Sequence, residues 1–162
     1  MKLARTGVLA AAVLSIATLA FAQAKPNFSG TWTPEQAADA TGGGGGGRGR
    51  GMAGPMTVKQ SADTLTIERS MGENKVTQTY KLDGTESENK MMGRGGETVS
   101  KSTAKWDGAK LTITTKQAGQ DGTERVSTQT WSMEGANLVV ESTRTGREGS
   151  PMTSKMVYKK TT

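Results

Sequence analysis

The chain has 162 residues, with 21 Lys and Arg against 15 Asp and Glu, a formal net charge of +6. It contains neither cysteine nor histidine. Disulfides and thiolate chemistry are thereby excluded, as is the imidazole that is the commonest general base and transition-metal ligand, so no zinc or copper site and no Ser-His or Cys-His pair is expected.

Residues 1–24 read as a secretory signal peptide. Lys2 and Arg5 supply the positive end and residues 8–19 the apolar run. Ala20-Phe21-Ala22 or Ala22-Gln23-Ala24 offers the small-residue cleavage site. The run is shorter than the roughly 20 apolar residues of a membrane helix. The expectation is an exported chain, periplasmic or extracellular, whose mature part, residues 25–162, is one domain without a transmembrane segment. Losing Lys2 and Arg5 lowers the charge to +4, a mild excess that specifies no partner. Only about a quarter of residues 25–162 are apolar, so Thr, Ser, Gln and Met are expected to line much of the interior.

Phe28 and Trp32 are four apart, which puts both on one face of an extended strand, and Gly30 between them leaves room for a neighbouring backbone or ring. Residues 34–39 predict one or two helical turns, with Pro34 in the first position. Six glycines, Gly42 to Gly47, then precede Arg48-Gly49-Arg50-Gly51. Nothing in such a run offsets the entropy of ordering it, and residues 40–55 are read as a flexible, disordered Gly-rich insertion. Arg-Gly repeats can bind RNA, but no aromatic residue is interleaved and the chain is expected outside the cytoplasm, so no nucleic-acid partner is expected.

From Pro55 the pattern has period two. Met56 and Val58 alternate with polar residues, as do Leu65 and Ile67, and then Val76, Gln78, Tyr80 and Leu82 up to Asp83-Gly84. Residues 89–96, rich in Gly and Met, read as a loop. Thr98, Ser100, Ser102, Ala104 and Trp106 share a face, and Asp107-Gly108 turns the chain into Leu111 and Ile113. After a loop at 118–122 come Ser127, Gln129, Trp131 and Met133, a Glu134-Gly135 turn, Leu138 and Val140, and a turn at 146–151. Met152, Ser154, Met156 and Tyr158 form the last face. Leu111 and Leu138, and likewise Trp131 and Tyr158, are 27 residues apart; Leu65 and Tyr80 make a shorter version of the same unit. About nine short strands at hairpin spacing predict an all-β, antiparallel up-and-down β-barrel of 8–9 strands, with a two-sheet β-sandwich as the alternative.

Asn27, Phe28, Gly30, Thr31 and Trp32 resemble the first-strand signature of the lipocalin and fatty-acid-binding-protein (calycin-type) superfamily. Lys105-Trp106-Asp107-Gly108, Thr112-Ile113, Leu138-Val139-Val140-Glu141 and Val157-Tyr158-Lys159-Lys160 look like stretches of fatty-acid-binding proteins, in the same order. The resemblance implies a barrel whose interior holds an apolar small molecule. Met156 stands where that family has an Arg two residues before the terminal Tyr, and residues 114–116 lack its second Arg. The two lid helices are matched by a mostly glycine stretch. These departures imply that fatty acid is not the preferred guest. In lipocalins a late Arg packs across the first-strand Trp, and Arg144, Arg147 and Lys159 are the candidates here.

No catalytic constellation emerges. Glu86 and Glu88 share a face and are expected in solvent, and Asp83, Asp107 and Glu134 belong to Gly turns. There is no Gly-x-Ser-x-Gly, no phosphate loop and no calcium loop. The chain is read as no enzyme and as needing no cofactor. Trp32, Trp106 and Trp131 either plug the barrel ends as core or grip a ligand, and Met56, Met133, Met152 and Met156 either fill the core or make a pliable wall. Trp106, Trp131, Met156 and Tyr158 are the candidate ligand-binding residues. The function expected is an exported, non-catalytic barrel binding a small hydrophobic or amphipathic molecule. The alternative is a structural or interaction scaffold of the cell envelope without such a ligand.

Overall fold

The computed structural model describes residues 24–35, 54–71, 74–93, 96–119, 122–145 and 150–161. The leader, most of the glycine-rich stretch and residues 36–39 of the expected helical turns lie outside them. Pro34 ends a strand rather than opening a helix, and the Glu35 N–H continues the pairing by donating to Val157 O at 2.8 Å.

Ten strands follow one another: β1 (Gly30–Pro34), β2 (Met56–Gln60), β3 (Thr64–Met71), β4 (Asn74–Lys81), β5 (Glu86–Gly93), β6 (Gly96–Asp107), β7 (Lys110–Ala118), β8 (Glu124–Glu134), β9 (Asn137–Thr145) and β10 (Pro151–Thr161). They form a single antiparallel sheet in the order β4-β3-β2-β1-β10-β9-β8-β7-β6-β5. Pairing of β1 with β10 joins the first and last of these strands and curls the sheet into a nearly closed up-and-down barrel, so the sandwich alternative is ruled out. The strand count exceeds the expected nine by β5. Its inward residues Ser87 and Asn89 are polar, which left residues 89–93 without an apolar rhythm and made them look like loop.

β2, β3, β4, β6 and β7 bury alternate residues, as a pleated wall around a core requires. The repeated unit has a geometric meaning, because the Leu and the aromatic of each copy are direct cross-strand partners. Leu65 faces Tyr80, Leu111 faces Trp131, and Leu138 faces Tyr158. All six are buried and belong to one core cluster. Burying side chains of this size contributes about 1.5–3 kcal/mol each. The tight turns at Gly108 (φ 58°) and Gly135 (φ 62°) set two of the registers, since residues with a Cβ rarely hold that conformation.

The outer face carries threonines and ion pairs. Glu68 is bridged by Lys59 (3.2 Å) and Lys75 (2.9 Å), and Lys101 meets both Glu86 (3.1 Å) and Glu88 (3.5 Å). The last two acids are thus solvent-side partners of a lysine rather than an acid–base couple. Such exposed pairs contribute about 0–1 kcal/mol. Val139 is buried on this face too, apart from the core cluster.

Candidate ligand-binding interior

One end of the barrel holds the turns 61–63, 83–85, 108–109 and 135–136, and the segment leading into β1 crosses it as a plug. Phe28 is fully buried there. Its ring stacks on Trp106 (centroids 5.7 Å, planes 9° apart) and meets Trp131 edge-on (5.8 Å, 67°). Gln60 pins this lead: its Oε1 accepts the Phe28 N–H at 2.9 Å and its Nε2 donates to Pro26 O at 3.1 Å. Trp32 Nε1 donates to Phe28 O at 2.8 Å, so the indole is satisfied although its ring is buried. Lys25 Nζ lies 5.6 Å from the Trp106 ring. A surface hollow of about 370 Å³ sits beside the plug, between Pro26, Asp107, Ala109, Lys110, Ser132 and Met133.

Lys160 packs across the first-strand Trp32, with Nζ 5.7 Å from the ring centroid. Of the residues expected there, Lys159 and Arg144 do not do so. Lys159 points to the outer face and pairs with Glu35, and Arg144 sits far along β9, opposite Met152. Arg147 lies outside the described residues. The Lys160 stem runs against Gly30, where an added Cβ would fall 2.5 Å from Lys160 Cε, and Gly30 has φ +147°. Glycine is required there on both counts.

Further from the plug, the inner wall becomes polar. Arg69 of β3 is buried at 7% exposure. Its Nη1 donates to Gln78 Oε1 at 3.4 Å, its Nη2 approaches Met56 Sδ at 3.2 Å, and it hydrogen-bonds the Tyr158 side chain. The Tyr158 hydroxyl in turn approaches Met156 Sδ at 3.7 Å. Burial pushes the Tyr158 phenol up and the nearby guanidinium pulls it back down. Tyr80 is pushed up to about 12 by burial, again opposed by the charge of Arg69. Across the interior, Ser100, Ser102, Ser87 and Asn89 are buried, with Ser102 Oγ 2.9 Å from Thr115 Oγ1.

The four candidate residues therefore fall into two groups. Trp106, half-buried, and Trp131, fully buried with Nε1 donating to Gln129 Oε1 at 3.2 Å, grip Phe28 at the plugged end. Tyr158 and half-buried Met156 stand together beside Arg69. Arg69 is not among the arginine positions that the family resemblance implies. Its signal was present: Leu65, Ile67 and Arg69 are spaced by two, so the strand that buries the first two turns the third inward as well.

No family model matches the chain, and no curated protein does. Solved structures do. The REP1-NXSQ fatty acid transporter aligns over 83% of this chain and 96% of its own, with TM-score 0.56 and 18% identity. The chain shares the barrel fold of that structure. Human cRBP IV (TM-score 0.55, 21% identity, 84% of this chain and 99% of its own) is similar. So is zebrafish ileal bile acid-binding protein complexed with cholic acid (TM-score 0.54, 23% identity, 83% and 98%). At these identities the likeness concerns the fold, and residue roles in this chain have to come from its own chemistry.

Proposed function

We propose that the protein is an exported, non-catalytic barrel that binds a small amphipathic molecule in its interior, with an acidic group directed to Arg69. The observation that carries this reading is the Arg69, Tyr158 and Gln78 group on an inner wall otherwise built from Met56, Val58 and Ile67. A guanidinium presents a rigid fork of donors that matches a carboxylate or sulfonate, and a neighbouring phenol adds one more donor. The thioethers of Met56 and Met156 adapt to an irregular apolar body. Trp106 and Trp131 belong to the plug and support the site from below. Export rests on the leader-like residues 1–24, and the neighbours whose names state a cargo, a fatty acid transporter and a bile acid-binding protein, are carriers rather than enzymes.

Fluorescence titration with an anionic environment-sensitive dye, anilinonaphthalene sulfonate, and an uncharged one, Nile red, tests the reading. Saturable binding of the anionic dye is expected, weakened by roughly ten- to a hundredfold in Arg69→Met, the range of a charge-assisted hydrogen bond, with Nile red little affected. Lack of saturable binding by either dye would sink it.

A further inference from the structure

β4 and β5 are consecutive in the chain yet stand at opposite ends of the sheet order, so the wall has one seam without a ladder. Side chains cross it instead. The Asn89 amide is used twice on one residue: its Oδ1 accepts the Thr79 N–H at 2.7 Å and its Nδ2 donates to Thr79 O at 3.1 Å. Ser87 Oγ accepts the Lys81 N–H at 2.9 Å. A primary amide carries an acceptor and a donor side by side, as a peptide group does, so Asn89 imitates the two-bond rung of an antiparallel pair. Ser100 Oγ backs it up by donating to Asn89 O at 3.2 Å. Asn89 and Ser87 are buried at 5% and 7% exposure, so neither is a surface contact of convenience.

We propose that Ser87 and Asn89 form a latch on the β4–β5 seam, and that its release is the route by which solvent and small solutes reach the barrel interior. A ladder opens only by moving backbone along a whole strand. Among the described residues this seam is held by three bonds from two side chains, and a buried side chain released from its bonds can change rotamer without disturbing either flanking ladder. Opening here leaves the remaining strand pairs, from β4–β3 round to β6–β5, intact. Closed, the latch also satisfies edge groups of β4 that would otherwise template pairing with another chain.

Native-state hydrogen exchange together with acrylamide quenching of the buried tryptophans tests the proposal on the full chain. Asn89→Ala is expected to speed exchange of the Thr79 and Lys81 amides by roughly ten- to a hundredfold, the equivalent of one to two lost hydrogen bonds, while β9 amides keep their protection. Quenching of Trp32 and Trp131 should rise with it. Ser87→Ala, which removes a single bond, serves if the first variant folds poorly. Asn89→Asp provides a signature that a merely structural role would not give. Its carboxylate keeps the acceptor but loses the donor, and protonation restores an O–H donor. Protection of Thr79, corrected for intrinsic exchange, should then fall above the carboxyl pKa and recover below it. A rise in exchange spread evenly over all strands would overturn the latch, as would unchanged exchange at Thr79 and Lys81. Faster seam exchange with unchanged quenching would overturn the seam as the route.

Discussion

The ring of Phe28 lies nearly parallel to that of Trp106, 5.7 Å away, and the same ring takes the edge of Trp131. One residue outside any strand thus ties the β6–β7 hairpin and β8 to the lead into β1. Phe28→Ala removes the whole plug and should destabilise the barrel by about 3–5 kcal/mol, the cost of emptying a buried aromatic site. Urea unfolding followed by tryptophan fluorescence measures this, and near-ultraviolet dichroism should lose the coupled aromatic signal. A loss below about 1 kcal/mol would mean that the plug does not carry the closed end.

Gly30 and Lys160 make a second coupled pair. Gly30→Ala meets both a forbidden φ and the Lys160 stem, and should cost about 1–3 kcal/mol. Adding Lys160→Ala relieves the collision but not the backbone strain, so the double variant should recover only part of the loss. Lys160→Ala alone gives up a cation–π contact of about 0.5–1 kcal/mol. A double-mutant cycle by urea unfolding reads the coupling, and strict additivity would contradict the contact.

Alkali should unfold the protein earlier than acid-labile groups would suggest. Burial pushes the Tyr80 phenol up to about 12 in the folded state and raises that of Tyr158 as well. A phenol raised in this way contributes stability that is fully present below the unfolded pKa, near 10, and lost as pH climbs through the folded value. For Tyr80 alone, two units correspond to about 3 kcal/mol. With no histidine in the chain, stability should be nearly level from pH 6 to about 9.5 and fall between about 10 and 12. Tyr80→Phe should flatten part of that fall.

Arg69 is expected to matter for binding and little for folding. Arg69→Met removes the cost of burying a guanidinium but also the hydrogen bonds it gives Gln78 and Tyr158, so it should leave thermal unfolding within about 1 kcal/mol of the parent. A large loss of stability would identify Arg69 as a structural strut.

Much of this architecture was legible because it follows parity. The Leu and aromatic pairs recur at fixed spacing, and the pleat turns that spacing into cross-strand contact: Leu111 with Trp131, Leu138 with Tyr158. Asp107-Gly108 marked its hairpin correctly for the same local reason, a glycine that accepts positive φ. Parity also explains the misses. Tyr158 points inward, so Lys160 and not Lys159 must share its face and reach Trp32. Arg69 follows Leu65 and Ile67 by the same rule. β5 escaped because its inward residues, Ser87 and Asn89, serve a seam rather than the core, and hydrogen bonds across a seam leave no apolar rhythm. Pro34 suggested a helix start from local chemistry alone, where pairing of β1 with β10 prevails.

The proposed guest of the interior is an acidic amphipathic molecule held at Arg69. Native mass spectrometry of the full chain and of Arg69→Met, each purified from the envelope fraction of the organism that makes it, tests this most directly. A one-to-one small-molecule adduct is expected on the parent chain, absent or strongly reduced on the variant. A bare mass for the parent, or an adduct retained equally by both, would contradict it.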